Sequence, residues 1–121
     1  MPNETSLGEF EQLILLALIR LGDRGYGVSI HNEIVRRAGR DVTVASVYKT
    51  LERLELKGLA LSALGEPTAE RGGRRKKYFR IQPAGRRALA HALASLRRMA
   101  DGLSPDMDPA FPADPLRGDE V

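Results

Sequence analysis

The chain has 121 residues, 42% of them hydrophobic, which is enough for one compact domain with a modest core. With three Phe, three Tyr and no Trp, that core has to be filled mainly by leucine, valine and alanine. The absence of cysteine excludes disulfides, thiolate metal sites and thiol catalysis, and it is typical of proteins from a reducing compartment.

The net charge of +3 is unevenly distributed along the chain. Residues 101–121 contain six acids and one base, a net charge of −5, which leaves residues 1–100 at +8. A basic body favours a polyanionic partner, because each Lys or Arg placed near a phosphate releases condensed counterions. Nucleic acid is therefore the first candidate partner.

No segment predicts a membrane span or a secretory signal. The longest apolar run, Leu13–Ile19, is much shorter than the roughly 20 residues that a transmembrane helix needs. The first six residues, Met1–Ser6, are polar and acidic and lack the positive flank of a secretory signal. We therefore expect a cytoplasmic protein.

Ser6 and Glu9 fit a capping box, which predicts a first helix over about residues 7–21. One apolar strip at helical spacing follows it: Phe10, Leu13, Ile14, Ala17, Leu18 and Leu21. A second apolar strip lies on another side: Leu15, Leu16 and Ile19. Either the helix is buried on both sides within one subunit, or the second strip contacts a partner subunit. We favour the partner subunit.

Two further helices are predicted on either side of the short polar turn Gly39-Arg40-Asp41. The second runs from about Tyr26 to Arg37, and the third begins with Thr43 as its N-cap and runs to Lys57, where Gly58 supplies the C′ position. The predicted inward face of the third helix comprises Val44, Val47, Tyr48, Leu51 and Leu54. Two helices joined in this way are typical of a helix-turn-helix.

After Gly58 the apolar period changes to alternation, which predicts two short antiparallel strands over about residues 59–64 and 76–81. The segment between them, Gly65–Arg74, is too long for a tight hairpin and contains Pro67, so we expect an extended, mobile loop. Such a loop beside a helix-turn-helix is a wing. The predicted fold class is α+β, mostly α: a winged helix-turn-helix with a C-terminal dimerisation helix.

Pro83 predicts the start of a last helix, over about residues 83–103, with a coiled-coil-like apolar seam. We place the dimer interface on this seam and on the second strip of the first helix: Leu15, Leu16, Ile19, Leu89, Leu93, Leu96, Met99 and Leu103. Residues 1–103 then form one DNA-binding domain that includes both dimerisation helices. Residues 104–121, with four prolines and unbalanced acids, predict an acidic disordered tail.

The third helix offers polar side chains of the kinds that read base edges and bind phosphates. We predict that it contacts DNA through Thr43, Ser46, Tyr48, Lys49, Thr50 and Arg53. Ser and Thr hydroxyls bond to base edges, and the longer cations reach guanine or a phosphate. A plain solvated face is the simpler explanation of the same residues, and Tyr48 fits a structural role equally well.

The segment Arg71–Arg80 contains six cations and no acid. Its glycines allow close approach to a backbone phosphate, so the predicted wing contacts are Arg71, Gly73, Arg74, Arg75, Lys76 and Lys77. A solvated charged loop is the alternative, since basic clusters also occur in targeting signals and at membrane surfaces. The position beside a helix-turn-helix favours DNA.

No pattern of catalytic or metal-ligating residues is present. The two histidines, His31 and His91, lie on different predicted helices and are assigned structural roles. No nucleophile, base or phosphate-binding loop is suggested by spacing. We predict neither enzyme activity nor a metal or other cofactor.

Several segments together resemble the PadR family of bacterial transcriptional regulators over about Leu7–Leu103. The resemblance rests on Leu13–Ile19 with Tyr26-Gly27, on Val47–Leu54 with Lys57-Gly58-Leu59, and on Gly65–Ile81 with Ala84-Gly85. These correspond in turn to the family's first two helices, its recognition helix and the wing of one branch of the family. The absence of further helices after residue 103 resembles its short-form members.

The resemblance implies a winged helix, homodimerisation through the first and last helices, and binding to a palindromic operator, usually as a repressor. Many members have glycine where this chain has Ala45, and proline where it has Lys49, so no operator sequence is carried over. Some relatives bind flat aromatic effectors through tryptophan, which this chain lacks. A small-molecule effector is left open, and an aromatic one is disfavoured.

Two rival interpretations remain at this point. A winged-helix module can bind protein instead of DNA, although six cations on the wing argue against it. The chain can also belong to another winged-helix repressor family such as the MarR type, which has longer flanking helices. The short first helix favours the PadR interpretation.

Overall fold

The computed structural model describes residues 6–67 and 75–103. Its elements follow in the order α1 (Glu9–Leu21), α2 (Gly27–Glu33), α3 (Val44–Leu56), β1 (Ala60–Pro67), β2 (Arg75–Ile81) and α4 (Pro83–Ala100). The predicted fold class is confirmed: helices dominate, and the two antiparallel strands form the wing. None of these helices is both long and apolar enough to cross a membrane.

Helix α1 begins later than predicted. Its N-cap is Gly8, and the Glu11 side chain, three residues on, accepts a hydrogen bond from the Gly8 N–H at 2.9 Å. The predicted cap pair, Ser6 and Glu9, is therefore wrong. A glutamate stands three residues after Ser6 and another three residues after Gly8, so the spacing fits either residue as the N-cap. The tertiary contact of Glu11 described below favours Gly8.

The core lies where α1, α2, α3 and the start of α4 converge. Its buried hydrophobic residues are Ile14, Leu15, Ala17, Leu18, Ile30, Ile34, Val47, Leu51, Leu54, Leu59, Ala60, Phe79, Ala88 and Leu89. Two of these, Leu15 and Leu89, were predicted to face a partner subunit and are instead buried within one subunit. Leu15 on α1 and Leu89 on α4 both fill space between neighbouring helices.

The helix-turn-helix is formed by α2 and α3. Helix α2 continues into a π-helical turn, Ile34–Ala38, and ends at Gly39 in the left-handed conformation. Helix α3 has the predicted caps: Thr43 Oγ1 accepts from the Ser46 N–H at 3.0 Å, and Gly58 follows the C-cap with φ of 75°. The recognition helix thus has defined ends on both sides.

The wing pairs residues 60–64 of β1 with residues 77–81 of β2, after which the register shifts before Pro67 pairs with Arg75. Strand β1 therefore extends beyond the predicted start of the loop at Gly65. Residues 68–74, which belong to the loop that was predicted to be mobile, lie outside the described residues. A third segment also pairs with β2: the Phe79 N–H donates to the Gly25 carbonyl at 2.7 Å, and Tyr26 bridges Tyr78.

Helix α4 begins at Pro83, as predicted, and packs closely against the base of the wing. A Cβ atom on Gly85 would lie 2.3 Å from the Leu59 carbonyl oxygen, so only glycine allows this approach. The far half of α4 leaves Leu96 and Met99 exposed, at 58% and 80%. The predicted acidic tail, residues 104–121, lies outside the described residues.

Candidate nucleic-acid interface

The outer face of α3 carries Ala45, Lys49 and Arg53, all exposed. Its start is tied by a reciprocal pair of bonds, since the Ser46 hydroxyl also donates to the Thr43 carbonyl at 2.8 Å. With its proton engaged in this way, Ser46 offers a base edge only an acceptor unless the bond opens. Of the residues predicted to read bases on this face, Lys49 and Arg53 are the ones with long, exposed side chains.

Thr50 does not lie on the outer face. It is 5% exposed and occupies the same buried side of α3 as Val47, Leu51 and Leu54. The predicted role of Thr50 in base reading is wrong. The spacing of these four residues is that of one helical stripe, and the small size of Thr lets it take a core position.

Tyr48 joins the two helices of the helix-turn-helix. A Cβ atom on Gly27 would lie 2.2 Å from Tyr48 Cζ and 2.4 Å from its hydroxyl oxygen, so the ring lies directly on the first residue of α2. The ring remains 38% exposed. Gly27 belongs to a segment that carries the family resemblance, but its packing role was not predicted, because the contact is between elements and leaves no local signal.

The wing meets the helix-turn-helix at the neighbouring residue, Tyr26. The Lys76 Nζ atom lies 4.3 Å from the centroid of the Tyr26 ring, a cation–π contact. The Tyr78 ring packs edge-to-face on Tyr26 with centroids 5.5 Å apart. Tyr26 and Gly27 therefore link the recognition helix and the wing, one through Lys76 and the other through Tyr48.

Five of the predicted contact residues that the structure describes are exposed cations: Lys49, Arg53, Arg75, Lys76 and Lys77. Within residues 6–67 and 75–103, none of the five forms an ion pair. By contrast, Arg80 pairs with Asp23. The predicted contacts Arg71, Gly73 and Arg74 lie outside the described residues.

Polar contacts hold the recognition helix at both of its ends. Before α3, His31 Nε2 donates to the Val42 carbonyl at 2.7 Å, and Arg40 pairs with Glu9. After α3, Lys57 Nζ pairs with Glu11 at 2.8 Å. Burial alone would raise the pKa of Glu11, but the bonds from Lys57 and the Gly8 amide outweigh it and hold that pKa below its ordinary value.

The hydrogen bond from His31 to the Val42 carbonyl is consistent with the structural role predicted for His31. No group of three His, Asp or Glu side chains is placed to hold a metal ion in the part of the chain that the structure describes. The buried Glu33 instead accepts from Arg36 at 2.7 Å and from Arg37 at 3.0 Å. The hydrogen bond from Arg37, assisted by that from Arg36, holds the pKa of Glu33 below its ordinary value despite its burial.

The remaining predicted interface residues have apolar surface outside the core. Leu16 and Leu93 are half-buried, and Ile19, Leu96, Met99 and Leu103 are exposed. Leu16 also lines an open cavity of about 250 Å³ between α1 and the end of α2, together with Leu13, Ala17, Arg20, Glu33, Ile34, Arg37 and Ala38. The part of the chain that the structure describes therefore leaves apolar surface on both α1 and α4.

Comparison with known protein families matches residues 15–91 to the Transcriptional regulator PadR-like family. A PadR family transcription regulator from Clostridium difficile R20291 is similar in structure: the TM-score is 0.68 at 24% identity, covering 84% of this chain and all of that one. A PadR-like regulator from Bacillus cereus gives 0.63 at 21% identity, covering 78% and 87%. One from Eggerthella lenta gives 0.61 at 24% identity, covering 84% and 88%. No curated protein sequence matches the chain.

Proposed function

Because the chain belongs to the PadR-like family of transcriptional regulators, we propose that it is a homodimeric repressor that binds a palindromic DNA operator. The proposal rests on one observation above all. The exposed cations of α3 and of the wing flank a single junction, where Tyr48 covers Gly27 and Lys76 covers Tyr26. We expect two elements joined in this way to present their cations to the same duplex.

The two elements take different parts in binding. Helix α3 enters the major groove with its N-terminal end, and its outward-facing cations Lys49 and Arg53 reach base edges and the adjoining phosphates. The wing cations Arg75, Lys76 and Lys77 contact the phosphate backbone beside it, which adds affinity without sequence preference. Arg71 and Arg74 extend this cationic segment in the sequence.

Dimerisation is supported by the apolar surface that one subunit leaves uncovered. Ile19 on α1 and Leu96 and Met99 on α4 are exposed to 39%, 58% and 80%. Exposed apolar residues on two helices mark an interaction surface, and we expect a second copy to cover them by two-fold symmetry. The dimer then places its two recognition helices about one DNA turn, ~34 Å, apart.

A salt series of fluorescence anisotropy measurements tests this function. The probe is a duplex spanning the upstream region of the protein's own gene, with unrelated DNA as competitor. We expect tight binding that survives competitor and falls steeply with salt, with two subunits per duplex by analytical ultracentrifugation. Equal, weak binding to every duplex would contradict a sequence-specific regulator and favour the protein-binding module. Occupation of an inverted repeat together with lower transcription from the bound promoter supports repression.

A further inference from the structure

We propose that Glu11 is a positioning residue that fixes the angle of α3 against α1 and so sets which separation of operator half-sites the dimer accepts. The inference rests on the proposed dimeric function, because α1 lies at the proposed interface and α3 at the proposed DNA surface. A residue that joins the two helices fixes the orientation of α3 relative to the dimer interface, and that orientation sets the distance between the two recognition helices.

Glu11 joins two distant parts of the chain through its two carboxylate oxygens. Oε1 accepts from the Gly8 N–H at 2.9 Å, and Oε2 accepts from Lys57 Nζ at 2.8 Å. The Glu11 side chain is only 7% exposed. Its carboxylate is therefore a fixed link between the first turn of α1 and the end of α3.

Lys57 transmits this link to the recognition helix because it is the C-cap of α3. Its backbone N–H donates to the Arg53 carbonyl, and Leu59 two residues later donates to the Leu54 carbonyl at 2.9 Å. Gly58 between them adopts a φ of 75°. These bonds prevent Lys57 from moving independently of the end of the helix.

A second carboxylate acts near the other end of α3. Glu9, two residues before Glu11, pairs with Arg40, which lies shortly before the N-cap Thr43. The Glu9 side chain is 77% exposed, so this pair is well solvated and contributes less than the buried one. The start of α1 thus contacts the segments on both sides of the recognition helix.

Apolar packing alone does not define this angle sharply. The contacts of Val47, Leu51 and Leu54 with the core are non-directional, whereas a charged hydrogen bond has a defined length and direction. Helix α3 has 13 residues and is about 20 Å long. The bond at Lys57 resists a rotation of α3 about its middle, because about 10° of that rotation moves each end of the helix by about 1.7 Å. In a dimer the two DNA-facing ends together move by about 3.5 Å, roughly the rise of one base pair.

The test measures binding to duplexes whose two half-sites stand at the operator's own separation or at separations changed by one or two base pairs. Three variants are compared with the wild type. Glu11→Gln keeps an oxygen that accepts from the Gly8 N–H but removes the negative charge. Lys57→Met keeps the aliphatic part of the side chain but removes the positive charge. Lys57→Arg keeps the positive charge. Asp23→Asn is the matched control, since it removes the same charge from an exposed ion pair outside α3.

We expect Glu11→Gln and Lys57→Met to reduce the discrimination between separations by about fivefold or more. Affinity for a duplex with one half-site should stay within about twofold of the wild type, because the base-contacting side chains are intact. Lys57→Arg and Asp23→Asn should discriminate as the wild type does. Lys57→Met, whose side chain is partly exposed, is the second test should Glu11→Gln fail to fold.

Two different negative results are possible, and the experiment distinguishes them. Folded variants that keep the wild-type discrimination would overturn the role of Glu11 while leaving the proposed function intact. A wild-type protein that is monomeric, or that binds every separation equally, would overturn the proposed function itself.

Discussion

The recognition helix α3 and the wing strand β2 present similar cations, but they hold them in different ways. In α3 the backbone is fixed at both ends, by His31 before the helix and by the Glu11 pair after it, while the side chains of Lys49 and Arg53 are exposed. In β2 the cation itself is held, because Lys76 lies over the Tyr26 ring. A fixed backbone suits base reading, which requires atomic placement, and a held cation suits phosphate contact, which tolerates shifts along the duplex.

The largest expected effect comes from breaking the junction between these two elements at Gly27. In Gly27→Ala the new methyl group would lie about 2.2 Å from Tyr48 Cζ, so the ring has to move away and with it the fit of α3 on α2. Because the clashing atoms lie at the far end of a partly exposed ring, we expect a loss of only about 1 kcal/mol in the free energy of unfolding, but roughly tenfold weaker operator binding, since the displaced ring belongs to α3. Urea unfolding and anisotropy measure the two losses.

A double-mutant cycle with Tyr48→Ala separates this clash from a general intolerance of α2. Once the ring is gone, Ala at position 27 should cost nothing, or should stabilise by up to about 1 kcal/mol, since Ala is a better helix former than Gly. An equal loss in both backgrounds would show that Tyr48 is not the cause.

The fixed end of α3 can be weakened by pH as well as by mutation. The pKa of Glu11 lies below its ordinary value of 4.5, so the stability that it contributes is complete above that pH and is lost as pH falls through the lowered value. We expect Glu11→Gln to lower the free energy of unfolding by about 1–2 kcal/mol at pH 7, an estimate reduced for the partial exposure of Lys57.

Urea unfolding of the wild type and Glu11→Gln at several pH values between 7 and 3 checks this sign. The difference between them should shrink below about pH 4.5, while Glu33, whose pKa is also lowered, is common to both and cancels. The expectation fails if the difference is constant down to pH 3.

The ends of α3 were predictable from the sequence, whereas its outward face was predicted only in part. Thr43 and Gly58 identify the ends because capping depends on neighbouring residues alone. Thr50 was misplaced because its polarity was given more weight than its position in the stripe that contains Val47, Leu51 and Leu54. Periodicity was the better guide there.

Contacts between elements account for the other differences. The start of α1 depends on Lys57, 46 residues away from Glu11, and the role of Gly27 depends on the ring of Tyr48. The burial of Leu15 and Leu89 likewise follows from how the helices meet, which two apolar strips on one helix do not specify. The family resemblance compensated for this, since the arrangement of elements was predicted correctly.

A smaller effect should distinguish the two proposed binding roles directly. Lys76→Ala removes a phosphate contact, so we expect about fivefold weaker binding to all sequences alike and a salt slope lower by about 1. Lys49→Ala should mainly reduce the preference for the operator over a single-base variant, and Thr50→Val should leave that preference unchanged because Thr50 is buried. Salt titrations of each variant on both duplexes provide the measurement. Identical behaviour of Lys49→Ala and Lys76→Ala would contradict the division of roles.

The smallest expected effect concerns the ring that holds the wing cation. Tyr26→Phe keeps a ring beneath Lys76, whose Nζ lies 4.3 Å from the centroid, so operator affinity should remain within about 1.5-fold of the wild type. Tyr26→Leu removes the ring, and the loss of an exposed cation–π contact, worth about 0.5–1 kcal/mol, predicts about twofold to fivefold weaker binding. The comparison is repeated in a Lys76→Ala background, where the cation is absent and Tyr26→Leu should have no further effect on affinity. If the leucine variant weakens binding equally in that background, the ring acts through its edge-to-face contact with Tyr78 and the pairing with β2, and the wing cation is not held in the way proposed.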